Sequence, residues 1–307
     1  MLRVAPSVVD LIGDTPLVRV RGVAPQLPAS VEVYLKAEWL NPGGSIKDRT
    51  ARHIVQKALA DGTLTPGGTL LDSSSGNTGI AYAMIGAALG FRVVLCIPKN
   101  ANAERQRTLR AYGAELVFTD PALGSDGAQE HASALAKREP TWFYANQYGN
   151  DANWRAHFET TGPELHQQTR GRLTHFIAAL GTTGTCMGVG RYLREKLPQA
   201  RAIAVQPDSP FHGLEGLKHL ETANVPDIYD PNVPHEQASC GTERAYEMCK
   251  RLARADGLFI GLSAGAALSV TLDLAHREAA LGRSAVLVSM GCDGGARYLS
   301  NALWDAP

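Results

Sequence analysis

Short apolar runs rich in β-branched residues alternate with segments of helical periodicity along almost the whole chain. The pattern predicts strands at 31–36, 68–73, 92–97, 114–118, 174–180, 201–206, 258–261 and 285–290. It predicts helices near 47–60, 77–90, 102–112, 124–138, 155–169, 184–197, 241–256, 264–281 and 295–302. Because such alternation is typical of β-α-β units, we expect an α/β fold with mostly parallel, twisted sheets flanked by helices. Ligands of such folds bind at the carboxyl ends of strands, so the strand-to-helix turns are where chemistry is expected.

Charge and cysteine content exclude several classes of function. Lys+Arg and Asp+Glu are equal at 30 each, so no polyanion-binding surface is indicated and we expect no nucleic-acid partner. The five cysteines are widely spaced and contain no C-x-x-C pair, which argues against a disulfide framework and a zinc site, and we expect no metal.

The 307 residues favour two medium-sized domains. Asp10 and Asp14 lie where a secretory signal would need an apolar core, and the most apolar stretch, 79–98, is interrupted by Arg92. We therefore expect a cytoplasmic protein without a membrane span. The segment 207–240 contains five prolines and little periodicity, which predicts a long loop of the kind that often carries function.

Two turn-to-helix segments in the first half of the chain carry reactive or polar groups. The segment 41–49 reads NPGGSIKDR and places Lys47 at a helix start, where the helix dipole and burial favour the neutral amine of a Schiff-base lysine. A solvated lysine is the alternative. The segment 72–79 reads DSSSGNTG and offers hydroxyls, an amide and free N–H groups to an anion. The alternative there is a helix cap made by Ser75 or Asn77.

Two further strand-to-helix junctions lie in the second half. The segment 181–185 reads GTTGT, and its small residues and hydroxyls favour a phosphate nest, although neither a Walker A loop nor a dinucleotide fingerprint is present. The segment 261–265 reads GLSAG, in which Ser263 serves either a ligand or helix capping and packing.

Together these motifs resemble the cysteine synthase (O-acetylserine sulfhydrylase) family, particularly its B isozyme, within the fold type II, tryptophan synthase β-like enzymes that use pyridoxal 5′-phosphate. The resemblance runs from IGDTPL at 12–17 through NPGGSIKDR, SSGNTG, GTTGT and TTGPE at 160–164 to CDGGARYLS at 292–300. It implies β-replacement that forms L-cysteine from O-acetylserine or O-phosphoserine and a sulfur donor, through an α-aminoacrylate intermediate. The donor would be sulfide or thiosulfate.

The resemblance also implies a role for each motif. Lys47 would bind the cofactor covalently and act as the catalytic base, Asn77 would bind the 3′-oxygen, and Ser263 would face the pyridine nitrogen. The phosphate would be held by Gly181, Thr182, Thr183, Gly184 and Thr185. The substrate carboxylate would be bound by Ser74, where the family usually has threonine, and by Ser75, Thr78 and Gln147.

The family pattern implies a smaller, mobile α/β domain at 36–150 carrying Lys47 and Asn77, and a larger one at 1–35 and 151–307 carrying the phosphate loop. It also implies a homodimer, with serine acetyltransferase as a possible partner. Lys218 and His219 align with two arginines of the B isozyme and predict a cationic entrance for larger anionic donors, with a solvated loop as the alternative. Cys292 lies in a segment that approaches the ring in that isozyme.

Two other functions remain open. One is a cystathionine β-synthase-like reaction with homocysteine as the nucleophile. The other is a catalytically silent binding or regulatory relative, against which Lys47, Asn77, the phosphate loop and Ser263 argue.

Overall fold

The computed structural model describes residues 5–304, which form two compact units. Unit 1 contains the segment that ends at Ile12, together with Asn41–Gly43 and Lys47–Asn153. Unit 2 contains Gly13–Leu40, Gly44–Ile46 and the chain from Trp154 onward. These bounds differ from the predicted domains near the N-terminus. A strand of unit 2 extends to Ala37 and is followed by a 3₁₀ turn at Glu38–Leu40, while Val9 and Ile12 pack in the core of unit 1. The mobility of the smaller domain stays a prediction.

The strands are β1 Leu17–Val20, β2 Val31–Ala37, β3 Thr69–Ser73, β4 Arg92–Pro98, β5 Glu115–Thr119, β6 Phe143–Tyr144, β7 His175–Ala179, β8 Arg201–Pro207, β9 Glu236–Cys240 and β10 Ala285–Gly291. The α-helices are α1 Lys47–Asp61, α2 Asn77–Leu89, α3 Ala103–Ala111, α4 Gly124–Arg138, α5 Ala152–Ala156, α6 Gly162–Gln168, α7 Gly184–Lys196, α8 Thr242–Asp256 and α9 Leu262–Ala280.

Unit 1 is built on a parallel four-stranded sheet in the order β5-β4-β3-β6. Successive side chains of a strand point to opposite faces, so adjacent leucines of β3 enter different cores. Leu70 packs in the cluster that contains residues of α1 and α2, whereas Leu71 packs with Ala132 of α4. Burial on both faces explains why the central strand β4 is a continuous apolar run from Val93 to Ile97.

Unit 2 contains a six-stranded sheet in the order β1-β2-β10-β7-β8-β9. The β1–β2 pair is antiparallel and the other neighbours are parallel. Helices α8 and α9 contribute to the core on one face, and α7 contributes to the core that contains Phe176 and Met290 on the other. Most of α9 is buried, as its apolar composition requires.

The predicted fold class is confirmed, and the matching strands end within one residue of their predicted positions. The predicted strand at 258–261 is wrong, because only Ile260 forms an isolated bridge, to Gly294. Strands β1, β6 and β9 were missed. The predicted helix at 155–169 is interrupted by a π-helical turn at His157–Thr161, and 295–302 contains a 3₁₀ turn at Gly295–Tyr298.

Within residues 5–304, none of the helices combines the length and apolar character that crossing a bilayer requires.

Candidate active site

Lys47 is the first residue of α1 and is half-buried. The turn before it is held within unit 1 by the buried carboxylate of Asp48, whose Oδ2 accepts a 2.6 Å hydrogen bond from the Gly43 N–H. A carboxylate in the first turn also interacts favourably with the helix dipole. Within unit 2, the Ile46 N–H donates to the Cys292 carbonyl at 2.8 Å. Hydrogen bonds from the backbone N–H groups of Gly43 and Ile46 therefore hold the segment 43–46, which leads directly into Lys47.

Residues 74–76, which we call the serine loop, follow β3 and lead into α2, which starts at Asn77. The N-cap is Gly76, so the expected alternative of a cap made by Ser75 or Asn77 is wrong. Instead, Ser74 Oγ accepts hydrogen bonds from the N–H groups of Gly76 and Gly79, at 3.3 and 3.1 Å. Because a hydroxyl oxygen has two lone pairs, Ser74 keeps its proton available as a donor to an anion.

Gln147 is the centre of a buried network beside this loop. Its Oε1 accepts from Thr78 Oγ1 at 2.7 Å, and its Nε2 donates to the Ser73 carbonyl at 3.0 Å. Its own carbonyl accepts from Asn153 Nδ2 at 2.7 Å. The structure thus brings together Thr78 and Gln147, which lie 69 positions apart in the sequence and were both predicted to bind the substrate carboxylate.

Asp72, the residue before Ser73 in β3, lies under the same network and was not singled out from the sequence. Its carboxylate accepts from the Ser73 N–H at 2.8 Å and from the Gln147 N–H at 3.3 Å. Burial raises the pKa of Asp72 to about 7, and the two backbone donors and the Tyr82 phenol only partly oppose this effect. A charged residue inside an otherwise apolar strand was the signal in the sequence.

The segment 181–185 connects β7 to α7. Thr183 has a positive φ of 67°, and its buried Oγ1 has no hydrogen-bond partner among residues 5–304. A Cβ on Gly181 would lie 2.3 Å from the Gly216 carbonyl oxygen, so only glycine fits there. Thr185 Oγ1 lies 3.3 Å from Nε2 of the buried His157, whose Nδ1 lies 2.9 Å from Thr161 Oγ1.

These features fit an anion with several oxygens. The first N–H groups of a helix lack intrahelical acceptors and favour negative charge, and an unpartnered buried hydroxyl adds a directed donor. A phosphate matches this donor set in number and in charge.

Lys218 lies beside the start of this segment, because its N–H donates to the Leu180 carbonyl at 2.9 Å. Its side chain is almost fully buried, and the cationic entrance stays a prediction. His219 is half-buried, and its Nδ1 lies 3.0 Å from Thr222 Oγ1. Burial and then the neighbouring His219 lower the pKa of His212, against the opposing effect of Asp208.

Ser263 is buried in the first turn of α9. The N-cap of this helix is Gly261, so Ser263 does not cap it. The Gly261 N–H donates to the Asp293 carbonyl at 3.0 Å, and the Asp293 carboxylate accepts from Tyr298 Oη at 2.7 Å. Cys292, adjacent to Asp293, is half-buried and forms no disulfide.

Comparison with known proteins identifies the family. Residues 8–293 match the model of the family described as pyridoxal-phosphate dependent enzyme. The chain belongs to this family. The cofactor and the fold predicted from the motifs are therefore confirmed.

The relatives of this pyridoxal-phosphate dependent enzyme include cysteine synthases. The chain is 45% identical to the cysteine synthase of Aquifex aeolicus, over 97% of this chain and 92% of that protein. It is 39% identical to cysteine synthase B of Pseudomonas aeruginosa, over 98% of each. The solved cysteine synthase of Entamoeba histolytica superposes with a TM-score of 0.93 at 34% identity, over 99% of this chain and 92% of that one. The predicted membership of the cysteine synthase family is confirmed.

Proposed function

We propose that this enzyme forms L-cysteine by β-replacement on O-acetylserine with sulfide, and that Lys47 carries the cofactor. Besides the relatives, the observation that most supports this proposal is the position of Lys47 as the half-buried first residue of α1. Its backbone lies at the start of a 15-residue helix, directly after the NPGGSI turn that leads into it.

The cofactor supplies an electron sink for the charge that develops on the substrate Cα. In our proposal Lys47 Nζ would hold the cofactor, and its amine would then take up the substrate Cα proton. The substrate loses its β-acetate, and sulfide adds to the same β-carbon. Lys47 returns the proton to Cα before the product leaves.

The residues of unit 2 would hold the cofactor. Thr183 Oγ1 and the N–H groups of Gly184 and Thr185 would donate to its phosphate, with Gly181 and Thr182 completing the turn. Ser263 would offer a neutral hydroxyl to the ring nitrogen. Since a hydroxyl, unlike a carboxylate, does not stabilise a protonated ring nitrogen, the Cα charge is withdrawn less strongly and loss of the β-group is favoured over transamination.

The residues of unit 1 would bind the amino acid. Ser74 keeps a hydroxyl proton to donate, and Thr78 and Gln147 are already positioned by a mutual hydrogen bond. Ser75 lies on the same loop, and Asn77 at the start of α2 would hold the 3′-oxygen of the cofactor. Because Gln147 and Thr78 are buried, a carboxylate bound there would be shielded from water, which strengthens each hydrogen bond.

The substrate range beyond O-acetylserine depends on Lys218. A buried ammonium group next to the start of the 181–185 turn would add positive charge for an anionic substrate, so we propose that O-phosphoserine and thiosulfate are also accepted. A homodimer, a serine acetyltransferase partner and a cytoplasmic location stay predictions.

The decisive experiment is to treat the cofactor-loaded protein with borohydride and map the labelled peptide. We expect a pyridoxyl group on Lys47, and none after Lys47→Ala. Lys57→Ala, which removes an exposed lysine of the same helix, is the matched control and should keep the label. A label on any other lysine would refute the assignment of Lys47.

A parallel assay distinguishes the substrates. O-acetylserine and O-phosphoserine are each offered with sulfide, thiosulfate and homocysteine, and the amino acid products are separated. Cysteine from O-acetylserine and sulfide is expected to form fastest. Cystathionine as the main product would favour the homocysteine-dependent alternative. If no product forms although Lys47 carries the pyridoxyl label, a catalytically silent relative would be favoured.

A further inference from the structure

The carboxyl group of Asp72 is buried without a positively charged partner. Its side chain is 1% exposed, and its two oxygens accept from the backbone N–H groups of Ser73 and Gln147, with the uncharged Tyr82 phenol beside them. Within residues 5–304, no lysine, arginine or histidine forms an ion pair with it. Such an anion is only weakly compensated, because two hydrogen bonds replace a full hydration shell.

The titratable groups around Asp72 do not supply the missing charge. Tyr82 faces it from α2, Cys96 from β4 and Tyr144 from β6, with Tyr148 in the following segment. Burial raises the pKa of each of these groups, so all four are neutral near pH 7. Asp126, which faces Tyr148 from α4, adds negative charge.

Gln147 links this carboxyl to the loop that we propose for the substrate carboxylate. Its backbone N–H donates to Asp72, while its side chain bonds Thr78 and the Ser73 carbonyl. Substrate binding would therefore bring a second carboxylate into a network that already contains one. Two carboxylates in one desolvated site do not both ionise near neutral pH, because like charges raise the pKa of one of them.

We propose that Asp72 takes up one proton when the serine loop binds a carboxylate, so that substrate binding is coupled to protonation of a residue that never touches the substrate. The proton comes from bulk water and forms an O–H bond on one Asp72 oxygen, and no other bond is made or broken. This inference rests on the proposed function only in its assignment of the carboxylate to this loop.

The coupling has a defined direction. In the free protein the pKa of Asp72 is about 7, so the group is mostly ionised above that pH. The bound carboxylate raises this pKa further, and the affinity for the ligand then falls as the pH rises between the two values, by at most about tenfold per pH unit. We expect roughly a tenfold loss of affinity between about pH 6.5 and about pH 8.5.

Calorimetry on the cofactor-loaded protein tests the proposal. The ligand is propionate, which has no amine and does not titrate in this range. Titrations at one pH in two buffers of different ionisation enthalpy give the number of protons taken up. We expect uptake of about 0.6 proton at about pH 7.7, as a roughly tenfold affinity change requires, for the unmodified protein and for Glu104→Gln, an exposed charge-removing control in the same unit, and none for Asp72→Asn.

A second measurement does not depend on the variant. Infrared difference spectra are recorded with ¹³C-propionate, because the label shifts the ligand bands away from those of the protein. We expect a new carbonyl band from a protonated carboxyl group of the protein when propionate binds. Binding without proton uptake and without this band would overturn the role of Asp72 alone. Failure of propionate to bind would instead overturn the carboxylate site, and an unlabelled Lys47 would overturn the proposed reaction.

Discussion

Lys36 is a fully buried lysine of unit 2 that forms hydrogen bonds with residues of two separate sequence motifs. Its Nζ donates to Glu164 Oε2 and to the Thr15 carbonyl, both at 2.5 Å, and to Gln168 Oε1 at 2.9 Å. The other oxygen of Glu164 accepts from the Asp14 N–H at 3.0 Å. The motifs IGDTPL and TTGPE therefore meet at one ammonium group.

Replacing Glu164 by glutamine should destabilise the protein strongly. The change removes one carboxylate that contacts a buried ammonium group, and breaking a buried ion pair typically costs about 3–5 kcal/mol. We expect the free energy of unfolding in urea to fall by about 3 kcal/mol, the lower limit, because the glutamine Oε1 can still accept one hydrogen bond.

Two further variants separate charge from shape. The double variant Lys36→Met, Glu164→Gln also removes the buried ammonium group. Its free energy of unfolding should therefore be higher than that of Glu164→Gln alone. Glu115→Gln disrupts the Arg92–Glu115 pair, in which both side chains are more than half exposed, and should change stability by less than about 1 kcal/mol. If Glu164→Gln is as mild as Glu115→Gln, or if the double variant equals the sum of the single ones, the reasoning is wrong.

Three other perturbations have distinct outcomes. The folded-state pKa of Asp72 is about 7 against 3.8 for the free side chain, so its contribution to stability decreases as the pH rises from 4 to 7. Asp72→Asn should therefore gain, relative to the unmodified protein, about 3 kcal/mol between these pH values in urea unfolding. Thr183→Val should weaken cofactor binding about 10- to 100-fold in a fluorescence titration, because one hydrogen bond to a charged group is lost, while the stability of the cofactor-free protein should not fall. Lys218→Ala should raise KM for O-phosphoserine about tenfold and leave KM for O-acetylserine nearly unchanged, and equal changes for both substrates would contradict a role in charge recognition.

The sequence predicts the central strands well because both of their faces are buried. Strands β4 and β10 are mostly apolar runs, and β3 carries two adjacent leucines in a strand that is buried throughout. Strand β9 was missed because alternate residues of EQASC are exposed, and β6 because it has only two residues. The wrong strand at 258–261 contains a single buried apolar side chain, that of Ile260, which is too few to hold it in a sheet.

The motifs of the site were identified from the sequence, but the residues that support them were not. Gln147 was expected to bind the substrate, whereas the hydrogen bonds from Asn153 and to Asp72 depend on chain segments that meet only in the folded unit. His157 beside Thr185 lies in a π-helical turn, and no local pattern indicates such a turn. Composition and spacing report which residues are present, while packing decides which of them share a proton or a charge.

The position of β10 has a consequence for biosynthesis of the protein. This strand comes from the last part of the chain, yet it pairs with β2 on one side and β7 on the other. As the ribosome releases the polypeptide, most of unit 1 lies in one continuous segment, Lys47–Asn153, and can assemble early. The two halves of the larger sheet cannot join until residues 285–291 have been synthesised. A truncated chain that ends before them would therefore leave the edges of β2 and β7 unpaired and prone to aggregation.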